Sequence, residues 1–340
     1  YRLLKRTAGR EGIPMKEVQF NSIFADSINQ FLQLRAAVLK ERTIAVSRRQ
    51  LKSFDDYLSV NDIHSITKDA VDGWIAGLHG SDSTIVHAVC TIRAYIGFLA
   101  KTGVEAYVPD VPKQHDGYMP YIFSEEETSL IIRTADSYPS RWNNSIPYMR
   151  AMLPVIIRIA LCCGLRISEA VCLKRKNFNP DSGILTIEEA KNGRQRIVPM
   201  HGSLTGLLIK YCLAVGIPDN PDAWLFPGKN DSLHVESMKI YFRFAHILEK
   251  SGITVSKGKY ERGPCFHCLR HTFVLRSFKQ LETMGISTDN SVPYLSIYLG
   301  HNSLKETERY MKFTTDMFMD EFQKFAAFSG GVFPEVCYED

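Results

Sequence analysis

Four short segments carry groups able to handle a phosphodiester. The first is Gly164-Leu165-Arg166-Ile167-Ser168-Glu169, an arginine with a carboxylate three residues later that can hold it in place. The second is a turn at Lys191-Asn192-Gly193. The third runs from His267 to Phe273, with His267 and Arg270 at i and i+3 on one helix face. The fourth is Leu299-Gly300-His301, followed nine residues later by Tyr310. Cutting a phosphodiester without a metal needs three things. A nucleophile attacks phosphorus, fixed cations neutralise the non-bridging oxygens, and an acid protonates the leaving 5′ oxygen. Arginine suits the second task, because its planar fork matches phosphate oxygens and stays charged. Taken singly, each segment has a plain structural explanation: a surface ion pair, a polar helix face, or a core tyrosine spaced with Leu304 and Met311. Their combination in this order is what points to chemistry.

Two stretches of different character must position these groups. Residues 22–102 read as four amphipathic helices. Ile23, Phe24, Ile28, Phe31, Leu32 and Leu34 recur at helical spacing, as do Ile44, Leu51, Phe54 and Leu58. Thr67 begins a third helix with Val71, Trp74, Ile75 and Leu78. Ser83 begins a fourth, with Ile85, Val89, Ile92, Ile96 and Leu99, that stops at Gly103. Such helices make a compact bundle. Pro109, Pro112, Gly117 and Pro120 then mark an extended linker. Ser124 and Glu127 form a capping-box signature that opens a second domain. Its helices run through Cys163 and end at Gly164. Ile184, Thr186 and Ile187, then Arg196, Ile197 and Val198, read as strands flanking the Asn-Gly turn. Helices resume around 203–215, 235–251, 268–284, 292–299, 304–311 and 316–328. The expected divisions are an N-terminal extension at 1–20, a helical domain at 21–105, a linker at 106–121, a second domain at 122–315 and a C-terminal helix with acidic tail at 316–340.

Bulk properties fit a globular protein of two or three domains: 340 residues, 45% hydrophobic and 23% charged. No apolar run reaches the ~18 residues of a membrane span, and no membrane partner is expected. The chain begins at Tyr1 and no signal peptide is visible, although a trimmed start would hide one. Net charge is only +4, but it is uneven. Six basic residues and one acid lie between Arg35 and Lys52, eight and two between Lys239 and Arg276, and from Asp316 to the end there are six acids with only Lys324. That is a polarised surface. Cys90, Cys162, Cys163, Cys172 and Cys212 sit in apolar helical runs, where a thiol acts as a small hydrophobe, so a reduced, cytoplasmic protein is expected. Cys265-Phe266-His267-Cys268 could be half of a zinc or redox site, but no second Cys-x-x-Cys accompanies it. No metal is expected.

In its motifs and their order the chain resembles the tyrosine recombinase (phage integrase) family, which includes the Xer proteins, Cre and lambda integrase. The resemblance spans nearly the whole chain. It implies a mainly α protein with a small β-sheet: an N-terminal four-helix, SAM-like core-binding domain that clamps DNA, a linker and an α+β catalytic domain. Gly-Leu-Arg-x-Ser-Glu implies a catalytic Arg166 with its supporting acid Glu169. The strand-turn lysine falls on Lys191, with Arg194 close by, and His-x-Leu-Arg-His-Thr-Phe gives His267 and Arg270. Leu-Gly-His gives His301, and Thr-x-x-Tyr gives Thr307 and Tyr310. On this resemblance Tyr310 is the nucleophile and forms a 3′ phosphotyrosine. Arg166, Arg270 and His301 cradle the phosphate, Lys191 is the general acid, and His267 assists proton transfer or holds the phosphate. No ATP, divalent metal or other cofactor is needed. The partner is duplex DNA at recombination sites. Arg35, Lys40, Arg42, Arg48, Arg49 and Lys52 would face it from the first domain, and Lys174, Arg175, Lys176, Lys257, Lys259 and Arg262 would grip its backbone beside the catalytic site. The stripe Met317, Phe318, Phe322, Phe325 and Phe328 would dock in a neighbouring protomer and close a synaptic tetramer on two duplexes. An accessory excision factor and a nucleoid-associated location follow from a mobile-element role. Alternatives are Xer-like chromosome-dimer resolution, DNA inversion, a type IB topoisomerase-like nicking-closing enzyme, or a non-catalytic DNA-binding protein on the same fold.

Overall fold

In the computed structural model, residues 18–114, 120–138, 148–188, 195–230, 232–253, 263–301, 303–308 and 310 are described. The chain divides into two compact units between residues 117 and 118.

The first unit holds helices α1 (Ala25–Ala36), α2 (Glu41–Val60), α3 (Lys68–Ala76) and α4 (Asp82–Lys101). Their apolar faces meet in a core that includes Ile28, Phe31, Leu51, Phe54, Val71, Trp74, Val89 and Ile92. Thr67 caps α3 by accepting the Ala70 N–H. The cap of α4 is Ser81, which accepts the Thr84 N–H, so this helix starts slightly before Ser83. By length and hydropathy alone α4 could cross a membrane. Here its Val89, Ile92, Tyr95, Ile96 and Leu99 are buried in the bundle. Asp55 of α2 is fully buried and fixes the entry to α1. It accepts the N–H of Asn21 (2.8 Å), the N–H of Ser22 (3.0 Å) and the Ser22 hydroxyl (2.5 Å).

The second unit is mostly helical with a small sheet. Its first helix, α5 (Glu125–Asp136), carries the full capping box: Glu127 N–H donates to Ser124 Oγ and Ser124 N–H donates to Glu127 Oε2. The central helix α6 (Met149–Cys163) is apolar nearly all round and is buried accordingly. After α7 (Ile167–Val171) come β1 (Phe178–Asn179), β2 (Ile184–Ile187) and β3 (Arg196–Pro199), an antiparallel sheet in the order β1-β2-β3. Leu185 and Ile187 of β2 and Val198 of β3 face the core. A two-residue strand is too short to show a period, so β1 had no signal in the sequence. Then follow α8 (Gly202–Val215), α9 (Ser237–Lys250), α10 (His267–Thr283), α11 (Thr288–Leu299) and α12 (Leu304–Glu308). Ser287 accepts the Asn290 N–H, which starts α11 ahead of the apolar repeat expected at 292–299. A smaller core of Val274, Leu275, Phe278, Val292, Leu295 and Leu299 surrounds Tyr310. The Lys191 turn and the expected helix at 316–328 lie outside the described residues.

Candidate active site

Three of the four sequence segments converge, two of them where a glycine lets the backbone turn sharply as its helix stops. Helix α6 ends on Gly164 at φ 63°. A Cβ there would sit 2.4 Å from Phe273, so the Gly of Gly-Leu-Arg is matched to the Phe of His-Thr-Phe. The freed Gly164 carbonyl accepts Arg270 Nη1 at 2.7 Å. Helix α11 ends on Gly300 at φ 64°, and the Leu299 carbonyl accepts Arg270 Nη2 at 2.9 Å. Thr272 bolts α10 to the start of the unit: its buried hydroxyl accepts the Phe123 N–H at 3.0 Å. Arg270 is thus 2% exposed, its fork directed by two helix ends.

Glu169 is the hub. It is 3% exposed, and buried charge is tolerated only when paired. Its Oε1 accepts Arg166 Nη1 (2.9 Å) and Arg196 Nη1 (3.1 Å), and its Oε2 accepts the Arg166 N–H (2.9 Å) and Arg196 Nη2 (2.6 Å). Arg270 Nη1 is 3.8 Å from Oε2. Burial alone would raise the Glu169 pKa, but the Arg196 hydrogen bonds and charge, the Arg166 N–H and the Arg270 charge outweigh it and pull it to about 2. Arg270 is lowered to about 10 by burial and by Arg166, so it remains charged at neutral pH. Three guanidiniums around one carboxylate leave an excess of positive charge, which suits an anion.

The histidines respond to that excess. His301 Nε2 lies 3.0 Å from Arg270 Nη2, and its Nδ1 lies 2.7 Å from the buried Thr307 hydroxyl. Arginine can only donate, so Nε2 accepts and Nδ1 carries the proton. Burial, then Arg270, Arg166 and Arg196, push His301 down to about 3. His271 is also lowered to about 3, by burial, His267 and Arg270. Its Nδ1 is hydrogen-bonded to Tyr310 OH at 2.7 Å, and its ring meets the His267 ring edge-on at 4.6 Å. Tyr310 itself is 6% exposed.

Arg166, Glu169, Arg270 and His301 are therefore brought together, with Tyr310 and His267 joined to each other through His271. Lys191, Lys257, Lys259 and Arg262 lie outside the described residues. On the first unit, Lys40, Arg42 and Arg49 are exposed, while Arg35 stacks over Phe31 and Lys52 is paired with Asp56 on its own helix. Arg48 is half-buried. Lys174 pairs with Asp222 at 2.9 Å and Arg175 with Asp219 at 3.9 Å. Lys176 pairs with Glu188 at 3.3 Å. Such half-exposed pairs are weak and exchange readily for other anions. Two further members of the cluster, Arg196 and His271, were not among the residues expected from the sequence. The Sγ atoms of Cys265 and Cys268 are 3.6 Å apart, and among the described residues no group of three metal-ligating side chains includes them.

The model of the phage integrase family matches residues 123–316, more than half of the chain. The putative integrase/recombinase y4rB of Sinorhizobium fredii is 23% identical over 89% of this chain and 97% of its own length. Tyrosine recombinase XerA of Saccharolobus solfataricus is 23% identical over 83% of this chain and 86% of its own. Among solved structures, the XerH site-specific recombinase bound to difH substrate in a pre-cleavage complex has a TM-score of 0.64 at 17% identity, over 86% of this chain and 93% of that one, which is a likeness of fold. The chain belongs to the phage integrase family of tyrosine recombinases and is a site-specific DNA recombinase.

Proposed function

We propose that Tyr310 attacks a phosphodiester of duplex DNA, forming a bond to the 3′ phosphate while the bond to the 5′ oxygen breaks. Arg166 and Arg270 hold the non-bridging oxygens with His301, Lys191 protonates the leaving 5′ oxygen, and His267 assists proton transfer. The phosphotyrosine conserves the bond energy, so a 5′ hydroxyl from a partner strand reseals it. The observation that carries this reading is the meeting of Arg166 and Arg270 at Glu169, with more positive charge than one carboxylate cancels. The first unit is the SAM-like core-binding domain that clamps the duplex through its exposed basic residues, and the segment after Tyr310 docks in trans to build a tetramer. The test is Tyr310→Phe on a nicked suicide duplex. The wild type gives a covalent, gel-shifted adduct and the variant gives none, while both bind the duplex equally. An adduct from Tyr310→Phe removes the assignment.

For the biological role, we read integration or excision of a mobile element, with an excision factor as partner and the nucleoid as the site of action. The y4rB relative, matched over 97% of its length, supports it. The alternative is Xer-like chromosome-dimer resolution, and the XerA relative, a tyrosine recombinase at the same 23% identity, keeps it open. Excision of the DNA that flanks the gene, reconstituted on a plasmid, separates the two.

A further inference from the structure

Three arginines surround Glu169, but the two proposed to hold phosphate give the acid little of their forks. Arg166 offers one side-chain nitrogen and its backbone N–H, and Arg270 stands off at 3.8 Å. Of the three, Arg196 alone grips the carboxylate with two guanidinium nitrogens, at 2.6 and 3.1 Å. We propose that Arg196 is a positioning residue of the cleavage reaction, whose grip on Glu169 keeps the guanidiniums of Arg166 and Arg270 available to the phosphate. This rests on the reading of the site given above.

The three guanidinium forks compete for one carboxylate plane. A carboxylate and a guanidinium prefer to meet through two parallel hydrogen bonds, and a non-bridging phosphate pair asks for the same geometry. Were the Glu169 plane open, its nearest forks would be those of Arg166 and Arg270. A two-bond pair with either would withdraw the nitrogens that the phosphate needs. Arg196 fills that plane instead. Its side chain is 7% exposed, and it runs beneath the turn of Leu299-Gly300-His301. A Cβ on Gly300 would come 3.1 Å from its Nη1 and 3.3 Å from its Cδ. Arg196 also begins strand β3, five residues after Lys191. One side chain thus links the hairpin strand, the Arg166 turn and the His301 turn.

Arg196 also keeps the acid ionised. Arg166, Arg196 and Arg270 face Glu169, and His301 stands beside the same cluster. With Arg196 removed, burial would act on Glu169 against fewer opposing charges. The carboxylate would then take a proton at a higher pH, and it would release its hold on Arg166.

The test uses the full chain and single-turnover cleavage of a nicked suicide duplex, with duplex affinity measured in parallel. Arg196→Gln should cleave on the order of 10–100-fold more slowly, as loss of an outer partner does at metal sites, with affinity unchanged. Relative to the wild type, its rate should fall further as pH drops from about 8 to about 5, an added acid limb from protonation of Glu169. Arg196→Lys, which keeps the charge but not the fork, should stay slow at neutral pH yet lose that limb. The double variant Glu169→Gln/Arg196→Gln should be no slower than Glu169→Gln alone and should have no limb, because both changes remove one interaction. Wild-type rates in Arg196→Gln, or losses that multiply in the double variant, overturn the proposal. If Arg196→Gln fails to fold, judged by its melt, Arg196→Lys decides: slow cleavage supports the proposal and a wild-type rate overturns it. Absence of any adduct from the wild type would instead sink the recombinase chemistry itself.

Discussion

Among the described residues, each unit buries a carboxylate, Asp55 in the first and Glu169 in the second, and the two are partnered in opposite ways. Asp55 is met by two backbone N–H groups and a serine hydroxyl, with Lys52 at 3.7 Å. These partners engage both its oxygens and hold the chain at Asn21–Ser22 against α2. Glu169 is met by three arginines, whose summed charge exceeds its own. The first arrangement is closed, and its product is a fixed backbone. The second is open, and its product is a fixed surplus of positive charge. Burial of an acid is therefore no signature of function by itself. The charge its partners leave over is the informative quantity.

The largest effect that tests this contrast is Arg270→Ala. Removing a preorganised donor aimed at developing charge costs on the order of 100–1000-fold in rate. We expect at least that loss in single-turnover cleavage, with little change in duplex affinity. A loss under about tenfold would mean that Arg270 does not touch the phosphate and that the surplus charge is structural. Asp55→Ala should do the reverse. Three donors lose a charged acceptor inside the first unit, which should lower its stability by about 2–4 kcal/mol in urea unfolding. The rate of cleavage per folded molecule should hold. If Asp55→Ala slows cleavage by folded protein, the closed arrangement is not merely structural.

The sequence exposed these two sites unequally, for reasons of distance along the chain. Arg166 and Glu169 are three residues apart at a helix start, and Gly164, Gly300 and Ser124 carry the local chemistry of caps and stops, so they could be read directly. The meeting of Arg270 with His301 was legible only through the resemblance, because 31 residues separate them. Arg196 reaches Glu169 across 27 residues from a strand, and a strand arginine next to Ile197 and Val198 looks like any solvent-facing position. His271 reads as the neighbour of Arg270, and nothing local announces its bond to Tyr310, 39 residues away. Asp55 was hidden in the same way: in sequence it is one of two aspartates on an amphipathic helix, and its partners lie 33 and 34 residues earlier.

The smallest effect concerns acid. His271 and His301 are each held near 3, by burial first and by neighbouring positive charge. An unfolded chain would protonate them near 6.5. Between those values the unfolded state binds protons that the folded state refuses, so stability falls as pH drops below about 6.5. Glu169, held at about 2, adds a loss of the same sign as pH falls through the ordinary carboxylate range. The second unit should therefore weaken between pH 7.5 and 5.5, by about 1 kcal/mol for each imidazole once partial exposure is allowed for. Urea unfolding followed by hydrogen exchange, which reports the two units separately, measures it. The surplus charge supplies a sharper test. On the proposed reading, a phosphate held between Arg166 and Arg270 should cancel part of the field that, after burial, depresses His301, and so raise its pKa in the DNA complex. The acid sensitivity of the second unit should then shrink in the DNA complex, and shrink likewise in His301→Gln without DNA. If His301→Gln leaves the slope as steep as in the wild type, the imidazole at this cluster is not sensing the excess charge, and the contrast between the open and closed carboxylates loses its electrostatic half.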